Sequence, residues 1–240
     1  MSEVPRRSNV RRLLAAAACL VFLAIIVVIG FHRFPGARRG AGVPTTSPSE
    51  PASVCADNPP RVVRAKFLRS APYPTSIDPR RNYEVRLATS CGTMYLKLFP
   101  KQSPIAVNNF VNLAKHQWFT GTYFFRIVKD LGIIQAGDPT GTGSTGPGYT
   151  IPDDAPNGLH YQVGSVVMWR GGAPDSAGSQ FFIITDPDGL GELPHGLTVF
   201  GQLREDASLQ VARKIQSVPV QGDKPLEKVW ILGARAEERP

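Results

Sequence analysis

The chain has 240 residues, 42% of them hydrophobic and 19% charged, an ordinary globular balance that accommodates one sizeable domain plus appendages. Its 22 prolines and 23 glycines imply many turns, and its net charge of +8 comes from scattered Lys and Arg residues with no basic helix or aromatic-interleaved strand, so no nucleic-acid partner is indicated. Cys19, Cys55 and Cys91 form no CxxC pair, and His32, His116, His160 and His195 lie far apart, so a metal site is not indicated.

The run Leu13–Phe31 carries no charge. As a helix rising about 1.5 Å per residue it roughly crosses a bilayer core. Arg6, Arg7, Arg11 and Arg12 precede it, and Arg33, Arg38 and Arg39 follow it. A retained single-pass anchor is the favoured reading. A cleaved signal peptide is the alternative, but its apolar region would be shorter and arginines here occupy the cleavage region. Basic flanks on both sides leave only a slight preference for a cytoplasmic N-terminus, with the rest of the chain outside the membrane. Residues 1–12 are then a basic tail, 13–31 the anchor and 32–78 a Pro/Ser-rich linker with an extended arm.

From Tyr83 the texture changes. YEVRLAT alternates, Cys91-Gly92 punctuates, and TMYLKLF alternates again, which is a hairpin. Ser103-Pro104 reads as N-cap and first residue of a helix that continues through Phe110, Leu113 and Ala114. FFRIV, GIIQAG, VVMW, QFFIIT, LTVFGQL and KVWILGA are further short strands, and Asp206 caps a second helix over Ala207–Ile215. The expected fold is mainly β: a closed eight-stranded antiparallel barrel capped by two α-helices, over about residues 79–236, behind the N-terminal transmembrane helix.

Gly141 to Gly146 fits G-x-G-x-x-G, the loop of dinucleotide sites. A helix must follow such a loop to hold the pyrophosphate, whereas Pro147-Gly148-Tyr149-Thr150-Ile151-Pro152 follows here, so the segment reads as a plain loop. No serine sits in a G-x-S-x-G elbow. Arg126 stands out in the middle of an apolar strand, where alternation puts it on one face with Phe124 and Val128. Spacing alone favours an edge arginine snorkelling to water. Gln135, in a neighbouring apolar strand, fits a core amide bonded to backbone, and the phenylalanines of a third apolar strand, Ser179–Ile184, Phe182 among them, fit the core.

Taken in order, these segments resemble the cyclophilin family of peptidyl-prolyl cis/trans isomerases. The carriers are Tyr123–Val128, Ile133–Asp138, the PTGTGSTGPGY loop, GSQFFI at Gly178–Ile183, TVFGQL at Thr198–Leu203 and VNNFVNLA at Val107–Ala114. The resemblance implies that Arg126 is the catalytic arginine and Gln135 its partner. It implies a substrate-binding set of Phe124, Ile133, Gln180, Phe182, Leu193 and Leu197, with proline-containing polypeptides as partners and no cofactor. It departs at the rim: Glu192 stands in a tryptophan position, Leu197 in that of a histidine or tyrosine, Leu131 or Gly132 in that of a phenylalanine, and Trp169-Arg170-Gly171-Gly172 replaces a small-residue run.

The function these readings suggest is a bacterial, membrane-anchored, monomeric folding catalyst for exported or cell-envelope proteins. The altered rim keeps a second reading open, a non-catalytic cyclophilin-fold binding module or chaperone in the same place. An oxidising compartment also suggests a disulfide between Cys55, in the linker, and Cys91, at a hairpin turn.

Overall fold

A computed structural model of the chain describes residues 53–55, 59–60, 66 and 68–239, all within the compact unit Glu50–Pro240. Among the described residues no helix is long and apolar enough to cross a membrane, and the segment 13–31 lies outside them.

Alternation drives the first hairpin. In β1 (Asn82–Thr89) and β2 (Gly92–Leu98), Val85, Leu87, Met94, Leu96 and Leu98 turn inward and are buried. The chain continues through helix α1 (Pro104–Lys115), β3 (Tyr123–Phe124), β4 (Arg126–Val128), β5 (Ile133–Ala136), β6 (Ser165–Met168), β7 (Phe181–Ile184), β8 (Val199–Leu203), helix α2 (Asp206–Ser217), a two-stranded hairpin β9 (Val220–Gln221) and β10 (Lys224–Pro225), and a long β11 (Val229–Arg239).

The main sheet runs in the order β3-β11-β1-β2-β8-β6-β7-β5-β4, with every pair antiparallel. The eight expected strands are therefore nine. The extra one arises because Phe125 interrupts a single stave: its N–H donates to the Gln135 carbonyl at 3.1 Å, while Arg126 is already the register partner of Gln135. Two residues facing one is a β-bulge, which kinks the strand. Since β3 and β4 are the two ends of the sheet order, the barrel nearly closes through this bulge.

The main core gathers around α1, where Phe110 packs on Phe119, Phe181 and Phe200 with ring centroids 4.7, 5.2 and 5.0 Å apart. Ser103 occupies the N-cap position but does not cap. Its hydroxyl donates to the Val199 carbonyl at 2.7 Å, and the Asp154 carboxylate instead accepts from the Ile105 and Ala106 N–H groups. Asp206 is likewise the first residue of α2 rather than its cap, which falls on Glu205. The glycine-rich segment at 141–146 is a loop with no helix after it.

Asn108 on α1 receives the arm. Its side-chain oxygen accepts from Ser76 N–H, and its amide donates to the Pro74 carbonyl. Upstream, Cys55 and Cys91 are joined in a disulfide, and the Glu227 carboxylate accepts from the N–H groups of Val54 and Cys55.

Candidate active site

The antiparallel register of β4, β5 and β7 sets three side chains in a row, with Arg126 opposite Gln135 and Gln135 opposite Phe182. The Arg126 guanidinium donates through Nη1 to Gln135 Oε1 at 3.3 Å. The Gln135 Nε2 donates to Gln180 Oε1 at 3.0 Å, and Gln180 Nε2 donates to the carbonyls of Gly143 and Thr145, both at 3.0 Å. A continuous polar relay thus runs from the guanidinium to the glycine-rich loop.

Asp138 shapes that loop. Its buried carboxylate accepts from the N–H groups of Thr140, Gly141 and Thr145 and from the hydroxyls of Thr140, Thr142 and Thr145. Burial raises the carboxyl pKa, but the bonds from Thr145 and Thr140 outweigh it and hold the group below the ordinary carboxylate range. Next to it, Gly137 at φ +98° is required, because a Cβ there would lie 2.1 Å from the Ser179 carbonyl oxygen.

Arg126 opens onto a cleft of about 530 Å³ lined by Phe125, Gln135, the 141–143 loop, Trp169, Asp223 and Lys224. A second cleft of about 380 Å³ lies between the 143–150 loop and the segment from Trp169 to Gln180. Gly143 and Trp169 line both. The Trp169 N–H donates to the Gln180 carbonyl at 2.9 Å, and its indole stands edge-on to Phe182 at 6.4 Å, with the Arg126 guanidinium 5.9 Å from the ring centroid.

Phe182, Ile133, Leu193 and Leu197 meet in a second apolar cluster with Val128, Val167, Ile184 and Val199, separate from the main core. Half-buried Leu131, Leu190, Leu159, Tyr161 and Trp169 pack against it, and Phe182 is 0% exposed.

A family model described as cyclophilin type peptidyl-prolyl cis-trans isomerase matches residues 84–236, well over half of the chain. The chain belongs to the cyclophilin family.

It is a peptidyl-prolyl cis-trans isomerase. Among similar proteins, peptidyl-prolyl cis-trans isomerase-like 1 of Neurospora crassa is 35% identical over 156 residues, which is 63% of this chain and 93% of that protein. A peptidyl-prolyl cis-trans isomerase of Helicobacter pylori is 36% identical over 162 residues, 61% of this chain and 93% of that protein. The crystal structure of a Cryptosporidium parvum cyclophilin superposes with a TM-score of 0.59 at 30% identity, covering 66% of this chain and 99% of the other. The same C. parvum protein has also been crystallised in the presence of the dipeptide Ala-Pro.

Within this cyclophilin the structure brings Arg126 and Gln135 to the first cleft, joins Gln135 to Gln180 at the second cleft, and gathers Phe182, Ile133, Leu193 and Leu197 in the second apolar cluster. Phe124 is a correction. It is fully buried in the main core, 6.5 Å from the Phe181 ring, and does not line the cleft. The bulge is the cause: strict alternation through Phe125 would keep Phe124 on the side of Arg126, whereas the extra residue turns Phe124 inward and leaves Phe125 at the cleft. Beyond Arg126 and Gln135, the cleft is lined by residues that the sequence does not mark as site residues, Trp169 and Asp223 among them. Trp169 was visible only as a departure from the family pattern. Asp223 gave no signal at all, since it pairs with Arg126 from 97 residues away. Among the described residues no group of three or more His, Cys, Asp or Glu side chains is placed to hold a metal ion.

Proposed function

We propose that Arg126 is the catalytic group of this isomerase, and the carrying observation is its guanidinium standing in the cleft with Nη1 held by Gln135 Oε1 at 3.3 Å. Rotation about an X-Pro bond is slow because the nitrogen shares its lone pair with the carbonyl, a barrier of about 18–20 kcal/mol. In the twisted state the prolyl nitrogen becomes pyramidal and basic. A cationic N–H donor can bond to that nitrogen only when resonance is broken, so it favours the transition state over either ground state. No bond is made or cleaved and no cofactor enters.

Gln135 and Gln180 orient the donor. The proline ring sits against the cluster of Phe182, Ile133, Leu193 and Leu197. Because Phe182 is fully covered and Trp169 stands edge-on to it, a ring reaches it only when the side chains packed on the cluster turn aside. Residues flanking the proline lie along the Trp169 indole. Turnover of a proline-containing test peptide tests this directly: Arg126→Ala should lower kcat strongly while the melting temperature stays close to that of wild type. Wild-type activity in Arg126→Ala would end the assignment.

We further propose that the enzyme is bacterial, monomeric and anchored by residues 13–31, with 32–78 as linker and arm and 79–236 as the isomerase domain outside the membrane. Its substrates would be exported or cell-envelope proteins. The uncharged Leu13–Phe31 run with its arginine flanks supports this, as does the Cys55–Cys91 pair, since disulfides persist in oxidising compartments. Protease added to intact cells should remove the domain, and carbonate washing should leave it with the membranes. Protection in unbroken cells would reverse the orientation.

A further inference from the structure

We infer that Asp223 is a positioning residue that holds the Arg126 guanidinium side-on and presents its end to the substrate. The inference rests on the reading of Arg126 as the catalytic group.

Asp223 sits at the turn of the β9–β10 hairpin, directly after Gly222 at φ +61°. Its backbone is tied to the catalytic stave, where the Ile127 N–H donates to the Asp223 carbonyl at 2.8 Å. Its carboxylate faces Arg126 and lines the same cleft. Arg126 Nε and Nη2 both reach Asp223 Oδ2, at 3.1 and 3.0 Å. On the other flank Gln135 takes Nη1. A guanidinium has five N–H donors in a rigid plane. Asp223 Oδ2 accepts the hydrogen on Nε and stands in ion-pair contact with Nη2, and Gln135 takes one hydrogen on Nη1. One hydrogen on Nη1 and one on Nη2 remain, which is the end of the fork that a prolyl nitrogen or its neighbouring carbonyl would meet.

An unpaired arginine with long side-chain freedom would have to be ordered at each turnover. A carboxylate delivered by a backbone-anchored turn orders it beforehand, and pre-set orientation is rewarded in the rate of the chemical step. The pair is 32% and 47% exposed on its two sides. Exposed ion pairs add little to global stability, so loss of Asp223 should spare the fold and change the rate. The backbone bond to Ile127 survives any substitution of the side chain.

The test uses the full-length protein with arginine labelled by 15N, a proline-containing tetrapeptide as substrate, and the variants Arg126→Ala, Asp223→Asn, Asp223→Ala and Asp223→Glu. The Arg126 Nε–H resonance is assigned as the one missing from Arg126→Ala. Asp223→Asn and Asp223→Ala should lower kcat roughly ten-fold, leave KM within about two-fold, and move the Arg126 Nε–H signal toward that of a solvated arginine. Asp223→Glu keeps the charge at an open turn, where a Cβ on Gly222 would meet nothing within 4 Å, and should recover most of kcat together with the wild-type signal. Wild-type kcat in both Asn and Ala variants, while Arg126→Ala is inactive, would overturn the positioning role and leave the catalytic reading standing. A raised KM at constant kcat would overturn it as well, making Asp223 a substrate contact. Activity in Arg126→Ala would remove the catalytic reading itself, whatever the Asp223 variants do.

Discussion

The side-chain amides of Gln135 and Gln180 meet head to tail, Gln135 Nε2 donating to Gln180 Oε1 at 3.0 Å, although 45 residues separate them in the chain. Each amide is pinned on its far side, Gln135 by Arg126 Nη1 and Gln180 by two loop carbonyls. That double constraint decides which end of each amide is oxygen and which is nitrogen. Reversing Gln180 would place an oxygen against the carbonyls of Gly143 and Thr145.

Gln180→Leu should therefore loosen Arg126 without touching it. The relay loses all three hydrogen bonds of the Gln180 side chain; the one that holds Gln135 has a net effect of about 0.5–1.5 kcal/mol, and if that falls on the transition state kcat drops about three- to ten-fold. Steady-state turnover of a proline peptide checks this. An unchanged kcat would mean that Gln135 is held well enough by its strand alone.

Asp138 carries a pH dependence. Its folded pKa lies below the ordinary carboxylate value. Such a group contributes stability that is fully present above its unfolded pKa and is lost as the pH falls through the folded one. Asp138→Asn also turns an NH₂ donor toward N–H or hydroxyl donors of Thr140, Gly141 or Thr145. The variant should be less stable than wild type by about 2–3 kcal/mol at neutral pH. The gap should narrow as the pH drops below about 4. Urea unfolding of both proteins across that range reads the difference, and a gap independent of pH would show that the charge is not what holds the loop.

Much of this was legible in the sequence, and the exceptions have physical causes. All eight apolar segments read from YEVRLAT to KVWILGA contain strands, because each buries one face or both and leaves a period of two or a short apolar run. Both helices were legible from their spacing. Phe124 escapes period-two counting because that counting assumes an unbroken pleat, and a one-residue bulge leaves no mark in composition. Ser103 has the residue type of a cap, while the structure commits its hydroxyl to Val199, on a strand 96 residues away. The β9–β10 hairpin has two residues per strand, too few to show any period. Asp223 was invisible with it, since only the folded barrel brings that turn to β4.

The Cys55–Cys91 bridge gives a stability prediction. It spans 36 residues of sequence, a loop whose closure contributes about 3–4 kcal/mol in the chain-entropy account. The Glu227 carboxylate also docks the same segment through Ser53, Val54 and Cys55. Thermal unfolding with and without reductant should show a clear fall in melting temperature for wild type. Cys55→Ser should melt near the reduced protein and be indifferent to reductant. A wild-type melt unaffected by full reduction would show that the bridge adds nothing beyond the Glu227 contacts.

The last prediction concerns the aromatic wall. Glu192 stands exposed in a short 3-10 turn, so the tryptophan that the family resemblance would place there is absent. Trp169 offers an indole from a different loop, half-buried between the two clefts and edge-on to Phe182. A peptide lying along this wall must change the solvation of that ring. Trp118 is buried, with its ring N–H bonded to the Gly137 carbonyl, and Trp230 packs on Tyr123; neither lines a cleft here. Titrating a proline peptide should alter tryptophan emission in wild type and in Arg126→Ala, but not in Trp169→Phe. Loss of an aromatic contact is worth about 0.5–1.5 kcal/mol, so Trp169→Ala should raise KM about two- to ten-fold with a smaller change in kcat, because the indole flanks the rotating bond and does not supply its donor. A full emission response in Trp169→Phe, with KM unchanged in Trp169→Ala, would mean that substrate does not lie on this wall.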